Sequence, residues 1–259
     1  CLSRGLGDVY KRQSEYIKFI LPLLIIFFWF IFTYTGKVPP TSLPSLSAVK
    51  DTFIEMLKSG QLSNDLSLSL RRVLAGFFIS SILGISLGIF MGISSKAKEF
   101  FQLTLTAIRQ IPMIAWIPLI ILWAGIGEVS KIVVILFAAT FPIVVNTMGG
   151  VDSTSETYLE VAKMYGLSKK DTFFKVYLPS ALPNIFTGLR LGLGASWMAV
   201  VASELIASSS GIGYRLNDAR SLMRSDVVIV CMIIIGLVGL LMDKLIVLIS
   251  HELTPWKKN

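Results

Sequence analysis

The side chains best placed to make a specific contact fall in one polar stretch, DSTSETYLEVAKMYGLSKKDTFFKVYLPS, residues 152–180. Tyr158, Val161, Ala162 and Tyr165 recur at i, i+3, i+4 and i+7, which gives a short helix one apolar face. Ser153 stands three residues before Glu156 in a capping-box pattern, and Gly166 stands where a left-handed turn would end the helix. Ser168 with Asp171 is expected to cap a second short helix, which Pro179 should stop. Lys163, Lys169, Lys170 and Lys175 surround the stripe. An apolar face among so many lysines needs a cover, either a lipid interface or another protein. Covalent chemistry has little to work with. The chain has one histidine, His251, and two cysteines, Cys1 and Cys231, so neither a zinc spacing nor a disulfide framework arises. No G-x-x-x-x-G-K-[ST] phosphate loop occurs, since Gly166-Leu167-Ser168-Lys169 fails the spacing. No catalytic residue, metal or cofactor is expected.

The elements that must hold this stretch are apolar. Of 259 residues, 54% are hydrophobic and 15% charged, well under the quarter typical of a soluble domain. The apolar residues fall in separate runs near the roughly 20 residues that cross a bilayer as helix. Crossings are expected at about Ile17–Thr35, Val73–Ser95, Leu103–Trp123, Ile132–Val151, Ala181–Ile206 and from Val227 onward. The fold class is therefore an all-α membrane protein of about six transmembrane helices, with the 152–180 segment between the fourth and fifth. The polar Thr41–Arg72 segment, with Ser47, Asp51, Glu55 and Lys58 at helical spacing, is expected at a surface. Cys1–Gln13 resembles translated adapter sequence, leaving residues 14–259 as a single transmembrane domain.

Lysines of the second and fourth connections and of the tail place those loops, and both termini, in the cytoplasm. The net charge of +8 then suits helix ends beside anionic lipid better than nucleic acid. Arg71, Arg72, Arg215, Arg220 and Arg224 fall on the outer side and run against that bias. Arg190 and Glu204 are ionisable groups on the fifth crossing, where charge is costly and a pathway or gate role is the default reading. Some 21 Å of helix separates them, so they cannot pair. Arg190 needs an interior partner or water, whereas Glu204 sits near the outer end, where solvation alone could explain it. Gly84, Gly88 and Gly92, and Gly188 with Gly192, recur every four residues and allow close helix approach, within one bundle or at a dimer seam.

At the 152–180 segment the chain resembles the permeases of binding-protein-dependent ABC importers. Their signature is Glu-Ala-Ala, three residues, Gly, nine residues, Ile, any residue, Leu-Pro. Here Glu160-Val161-Ala162 is followed after three residues by Gly166 and after nine more by Val176, Tyr177 and Leu178-Pro179. Every spacing matches, and the departures, Val161 and Val176, stay apolar. The likeness extends through Ser69–Gly76, Ile117–Glu128 and Glu204–Gly213 to the branch importing nitrate, sulfonate and taurine. It implies that Glu160, Val161, Ala162, Gly166, Leu178 and Pro179 dock a cytoplasmic ATPase and transmit its closure. It also implies two ATPase copies, a second permease copy and an extracytoplasmic solute-binding protein, which Arg215, Arg220 and Arg224 could contact. Relatives in the branch that carry thiamine precursors or riboflavin keep those solutes open. A stand-alone secondary transporter would need a mid-membrane carboxylate and repeated halves, which are not evident. A membrane hydrolase would need more than His251.

Overall fold

The computed structural model describes residues 20–36 and 38–257, and among these all regular structure is helical. The adapter expectation for Cys1–Gln13 and the opening residues 17–19 of the first expected crossing lie outside the described residues. The helices are α1 (Ile20–Tyr34), α2 (Leu46–Lys58), α3 (Gln61–Ile93), α4 (Ser95–Arg109), α5 (Met113–Ala124) and α6 (Glu128–Asp152). After them come α7 (Glu156–Met164), α8 (Lys169–Thr172) with a π turn at Phe173–Tyr177, α9 (Leu178–Ala207), α10 (Ile212–Ser221) and α11 (Ser225–Leu253). Four runs are long and apolar enough to cross a bilayer: α3, α6, the continuous stretch Lys169–Ala207, and α11. α4 and α5 together would make a fifth, and α1 is a shorter apolar helix in its described part.

The expected single crossing at Leu103–Trp123 is two helices that meet at 98°. Pro112 is the cause, because it lacks an N–H to continue the ladder, and α4 closes on tight turns from Gln110 to Ala107 and Ile111 to Ile108. α4 starts beside the end of α6, where Lys98 Nζ meets Asp152 Oδ2 at 2.5 Å. α5 then leads through Gly125 to Glu128 at the opposite end, so the broken pair still runs from one end of the bundle to the other. Below, the near end is where α6 finishes and α9 begins, and the far end is where α6 begins and α9 finishes.

The centre of the bundle is α6, packed between α3 and α9. The four-residue glycine repeats are what let it sit there. A Cβ added at Gly84, Gly88 or Gly92 would come within 2.7, 2.6 and 2.6 Å of Ile143, Thr147 and Val151. On α9, Gly192 meets Ile143 in the same way, at 2.8 Å. These repeats are helix contacts inside one bundle. Outward faces stay apolar: Phe78 and Phe90 on α3, and Leu240, Leu241 and Leu248 on α11, are all more than half exposed. A bilayer is the solvent that suits such faces.

The 41–72 segment departs from expectation. Leu46–Lys58 is a surface helix as its pattern predicts, with Val49, Thr52 and Met56 inward and Asp51, Glu55 and Lys58 exposed. Residues 61–72, however, are the first three turns of α3, and Asp65, Ser69 and Arg72 are buried. Their polar character reads as surface only if their spacing is ignored. Spaced i, i+4 and i+7, they form one inward stripe that meets polar partners from distant elements.

Candidate functional site

The near end carries the segment singled out by spacing. α7 runs over Glu156–Met164, and only Ala162 of it is buried. The capping box is not formed. Ser153 instead closes α6, donating to the Gly150 carbonyl at 2.9 Å, and Ser155 takes the N-cap position. α6 simply extends one residue too far for Ser153 to open the next helix. At the other end the expectation holds: Gly166 has φ +65°, the left-handed value. Leu167 N–H donates to the Ala162 carbonyl and Gly166 N–H to that of Lys163, both at 3.0 Å. That pair of bonds is the Schellman arrangement. Ser168 caps α8, accepting from the Asp171 amide at 3.1 Å.

Pro179 does not stop the chain. It sits in the first turn of α9, where a missing N–H is tolerated. The preceding π turn lets the Leu178 N–H reach back to Phe173, and this wider turn relieves the proline ring. Val161, Ala162, Tyr165 and Leu167 on one side and Val176 and Pro179 on the other line an apolar groove of about 740 Å³, with Trp256 from the tail at its edge. Glu160 and Gly166 are on the exposed side, and Leu178 supports the α9 start without lining the groove. Tyr158 and Tyr165 of the stripe are 63 and 81% exposed, as is Met164 beside it at 86%, so its two aromatic ends remain uncovered while Ala162 is buried.

The far end is organised the opposite way. Glu204, for which solvation at the helix end was the alternative to a gate role, is 1% exposed. Its carboxylate accepts from Arg72 Nη1 at 2.7 Å, Ser69 Oγ at 2.8 Å and the Gly213 amide at 2.9 Å. The turn after α9 brings the start of α10 back over the side chain, which is why the helix end does not expose it. Arg72, expected at the outer surface, is 4% exposed and bridges two carboxylates. Its Nε and Nη2 reach Glu128 at 2.7 and 2.6 Å. Asp65 accepts from Arg215 Nε at 2.8 Å and from the Gly211 amide at 3.3 Å. Four elements, α3, α6, α9 and α10, are tied by charge-assisted bonds, about twice as strong as neutral ones.

The three outer arginines therefore differ. Arg215 is committed to Asp65 and Asp218. Arg224 binds Asp226 at 2.8 Å, and Asp226 also accepts from Thr52 of α2 at 2.7 Å. Arg220 is exposed, and among the described residues its hydrogen bond goes to the Asn217 carboxamide, at 3.0 Å. Arg190 has a partner that spacing did not reveal: its Nε and Nη2 hold Asp243 of α11 at 2.5 and 2.7 Å. Asp65, Ser69, Glu128 and Asp243 were not candidates from sequence. The stripe of Asp65, Ser69 and Arg72 was the available signal for three of the far-end residues.

Residues 80–254 match the family described as binding-protein-dependent transport system inner membrane component. A Methanocaldococcus jannaschii protein named as an ABC transporter permease is 39% identical, over 98% of this chain and 97% of its own. SsuC of Bacillus subtilis, named for aliphatic sulfonates transport, is 37% identical over 96% and 90% of the two chains. The taurine transport permease TauC of Escherichia coli is 32% identical over 95% and 91%. Among solved structures, an amino acid ABC transporter superposes with a TM-score of 0.63 at 17% identity, covering 77% of this chain and 98% of that one, which supports the fold. Such permeases work with an ATP-binding subunit and a solute-binding protein. The chain belongs to the family of binding-protein-dependent transport system inner membrane components, the multi-pass permease subunits of ABC importers.

Proposed function

We propose that this chain is the non-catalytic half of an importer whose α7 segment docks a cytoplasmic ATPase and transmits its closure to α9. The observation that carries the reading is α7 itself, an amphipathic helix with its aromatic stripe uncovered, joined through the Gly166 turn and the π turn to α9. Glu160, Val161, Ala162 and Gly166 form the docking face, and Leu178 with Pro179 fixes where α9 begins. Two copies of the chain enclose one pathway, with two ATPases on the near end and the binding protein on the far end. Both termini are cytoplasmic. The solute is a small sulfonate-type anion, the reading favoured by SsuC and TauC among the relatives.

Gly166→Val tests the coupling. The left-handed turn then costs about 1 kcal/mol or more, and α7 is misdirected while the spans stay inserted. Uptake and solute-stimulated ATP hydrolysis should fall together in the reconstituted complex. Wild-type levels of both would refute the assignment. Cysteines at Lys169 or Lys170 test the orientation: they should resist an impermeant thiol reagent in intact cells and react once the cells are permeabilised.

A further inference from the structure

Arg190 and Asp243 form an ion pair in an unusual place. They lie inside two membrane-spanning helices, yet their side chains remain 50 and 43% exposed. Arg190 is about 21 Å along α9 from Glu204, and Asp243 about 26 Å along α11 from Asp226, at a rise of ~1.5 Å per residue. Counted from those far-end residues, the pair lies toward the near-end side of a hydrocarbon layer about 30 Å thick and still within it. A charge there costs roughly 3 kcal/mol or more when it faces lipid, so charged groups face water or protein instead. The surrounding surfaces agree. The exposed face of α9 around Arg190 carries Thr187, Leu191, Gly194 and Met198, a mixed and partly small set. The exposed face of α11 is leucine at Leu237, Leu240 and Leu241 and again at Leu245 and Leu248, with the exposed Lys244 between them beside Asp243. α11 thus presents lipid-like surface on either side of a charged step at Asp243 and Lys244, and Arg190 of α9 meets that step.

Resting on the importer reading above, we propose that Arg190 lines the translocation pathway as a contact for the anionic group of the solute, with Asp243 as its positioning counter-charge. Asp243 occupies Nε and one edge of the guanidinium, which fixes the plane and leaves the Nη1 side free for an oxyanion such as a sulfonate. The counter-charge also keeps the contact weak. A bare arginine in a low-dielectric passage would hold an anion, and a pathway needs sites that are favourable to enter and easy to leave.

The test uses the full chain in native membranes with Cys1 and Cys231 replaced by serine and a single cysteine at Gly194. Gly194 is one helical turn from Arg190, and an added Cβ there meets nothing within 4 Å. Two water-soluble reagents of matched size are compared: 2-sulfonatoethyl methanethiosulfonate, itself an alkyl sulfonate, and its trimethylammonium counterpart. Their rate ratio cancels any change in thiol ionisation. The sulfonate reagent should be preferred by about tenfold over the ratio for free thiol, the size of effect that a focused positive charge gives in a cleft. Arg190→Gln should abolish the preference, and so should the charge-balanced pair Arg190→Gln with Asp243→Asn, which leaves no unpaired carboxylate. Asp243→Asn alone should raise it. Leu241→Cys and Leu248→Cys should react with neither reagent. No reaction at Gly194→Cys, or a preference that survives both arginine variants, would overturn the proposal. Uptake by the cysteine-replaced chain with its ATPase and binding protein is measured in parallel. Retained ATP-coupled uptake alongside either result removes the anion contact while leaving the importer reading intact.

Discussion

The two ends of the bundle treat polar and apolar groups in opposite ways. At the far end, Asp65, Arg72 and Glu204 are at most 4% exposed, and Arg215, Glu128 and the Gly213 amide complete their bonds across four elements. At the near end, α7 leaves Tyr158, Met164 and Tyr165 uncovered and buries only Ala162. A buried ionic network costs desolvation and returns fixed geometry. An uncovered apolar stripe does the reverse, since it waits for a partner to complete it. The far end therefore serves as the frame, and the near end as the place where another chain can act. One positive-φ glycine from each end makes the contrast plain. At Gly211, φ +107°, an added Cβ would fall on the Glu204 carboxylate, while at Gly166, φ +65°, it would meet nothing within 4 Å.

The largest effect should come from splitting the frame. Arg72→Met leaves Glu204 buried without its cation, a loss of about 3–5 kcal/mol. Thermal unfolding in detergent should drop sharply, and the amount of chain in the membrane should fall with it. Adding Glu204→Met to Arg72→Met should recover part of the loss, because two apolar side chains leave no stranded charge. A single Arg72→Met variant as stable as the parent would mean that the network is not what holds the far end.

The paired glycines sharpen the comparison. Gly211→Ala combines backbone strain with a clash in a packed site, so about 2 kcal/mol or more is expected. Gly166→Ala carries the strain alone, about 1 kcal/mol, and Gly166→Asn less, since Asn accepts the left-handed conformation. The near-end variants should therefore unfold almost normally, with Gly166→Asn retaining more ATP-coupled transport than Gly166→Ala. Equal loss of stability at the two glycines would erase the distinction between frame and docking face.

The near end was legible because its information is local. Glu160 through Pro179 fit one spacing pattern, and the turn at Gly166 formed as that pattern predicts. The errors there were of register: Ser153 belonged to α6, and Pro179 opened α9 through a π turn that no composition rule signals. The far end was not legible because its partners are distant in sequence. Arg72 and Glu204 are 132 positions apart and Arg215 and Asp65 are 150 apart, so charge sign and position alone could not pair them. Treating 41–72 as surface hid the stripe on α3, and assigning Glu204 to the helix end ignored the turn that folds Gly211 and Gly213 back over it. The bend between α4 and α5 was signalled by Pro112 and still read as one crossing, because hydropathy does not report direction.

The smallest effect separates the three far-end arginines, which sequence placed together as a docking set. Arg215→Gln leaves Asp65, itself 4% exposed, without its charged donor, and should cost about 2 kcal/mol. Arg224→Gln loosens a half-exposed pair and the tie from Asp226 to Thr52, about 1 kcal/mol or less. Arg220→Gln should change stability by no more than about 0.5 kcal/mol, as an exposed residue hydrogen-bonded to Asn217. Of the three, Arg220 is the one with no acidic partner among the described residues, so under the importer reading it is the one to test against an acidic surface on a binding protein. Charges at an interface rim act mainly on association, so Arg220→Gln should slow docking rather than speed release. The difference from the parent should shrink as salt rises, because the screening length falls from about 8 Å at 0.15 M to about 3 Å at 1 M. Docking rates measured for the three variants would decide the matter. If Arg220→Gln docks at the parental rate at low salt while Arg215→Gln does not, the far end recognises its partner through the shape held by the buried network, and not through free charge.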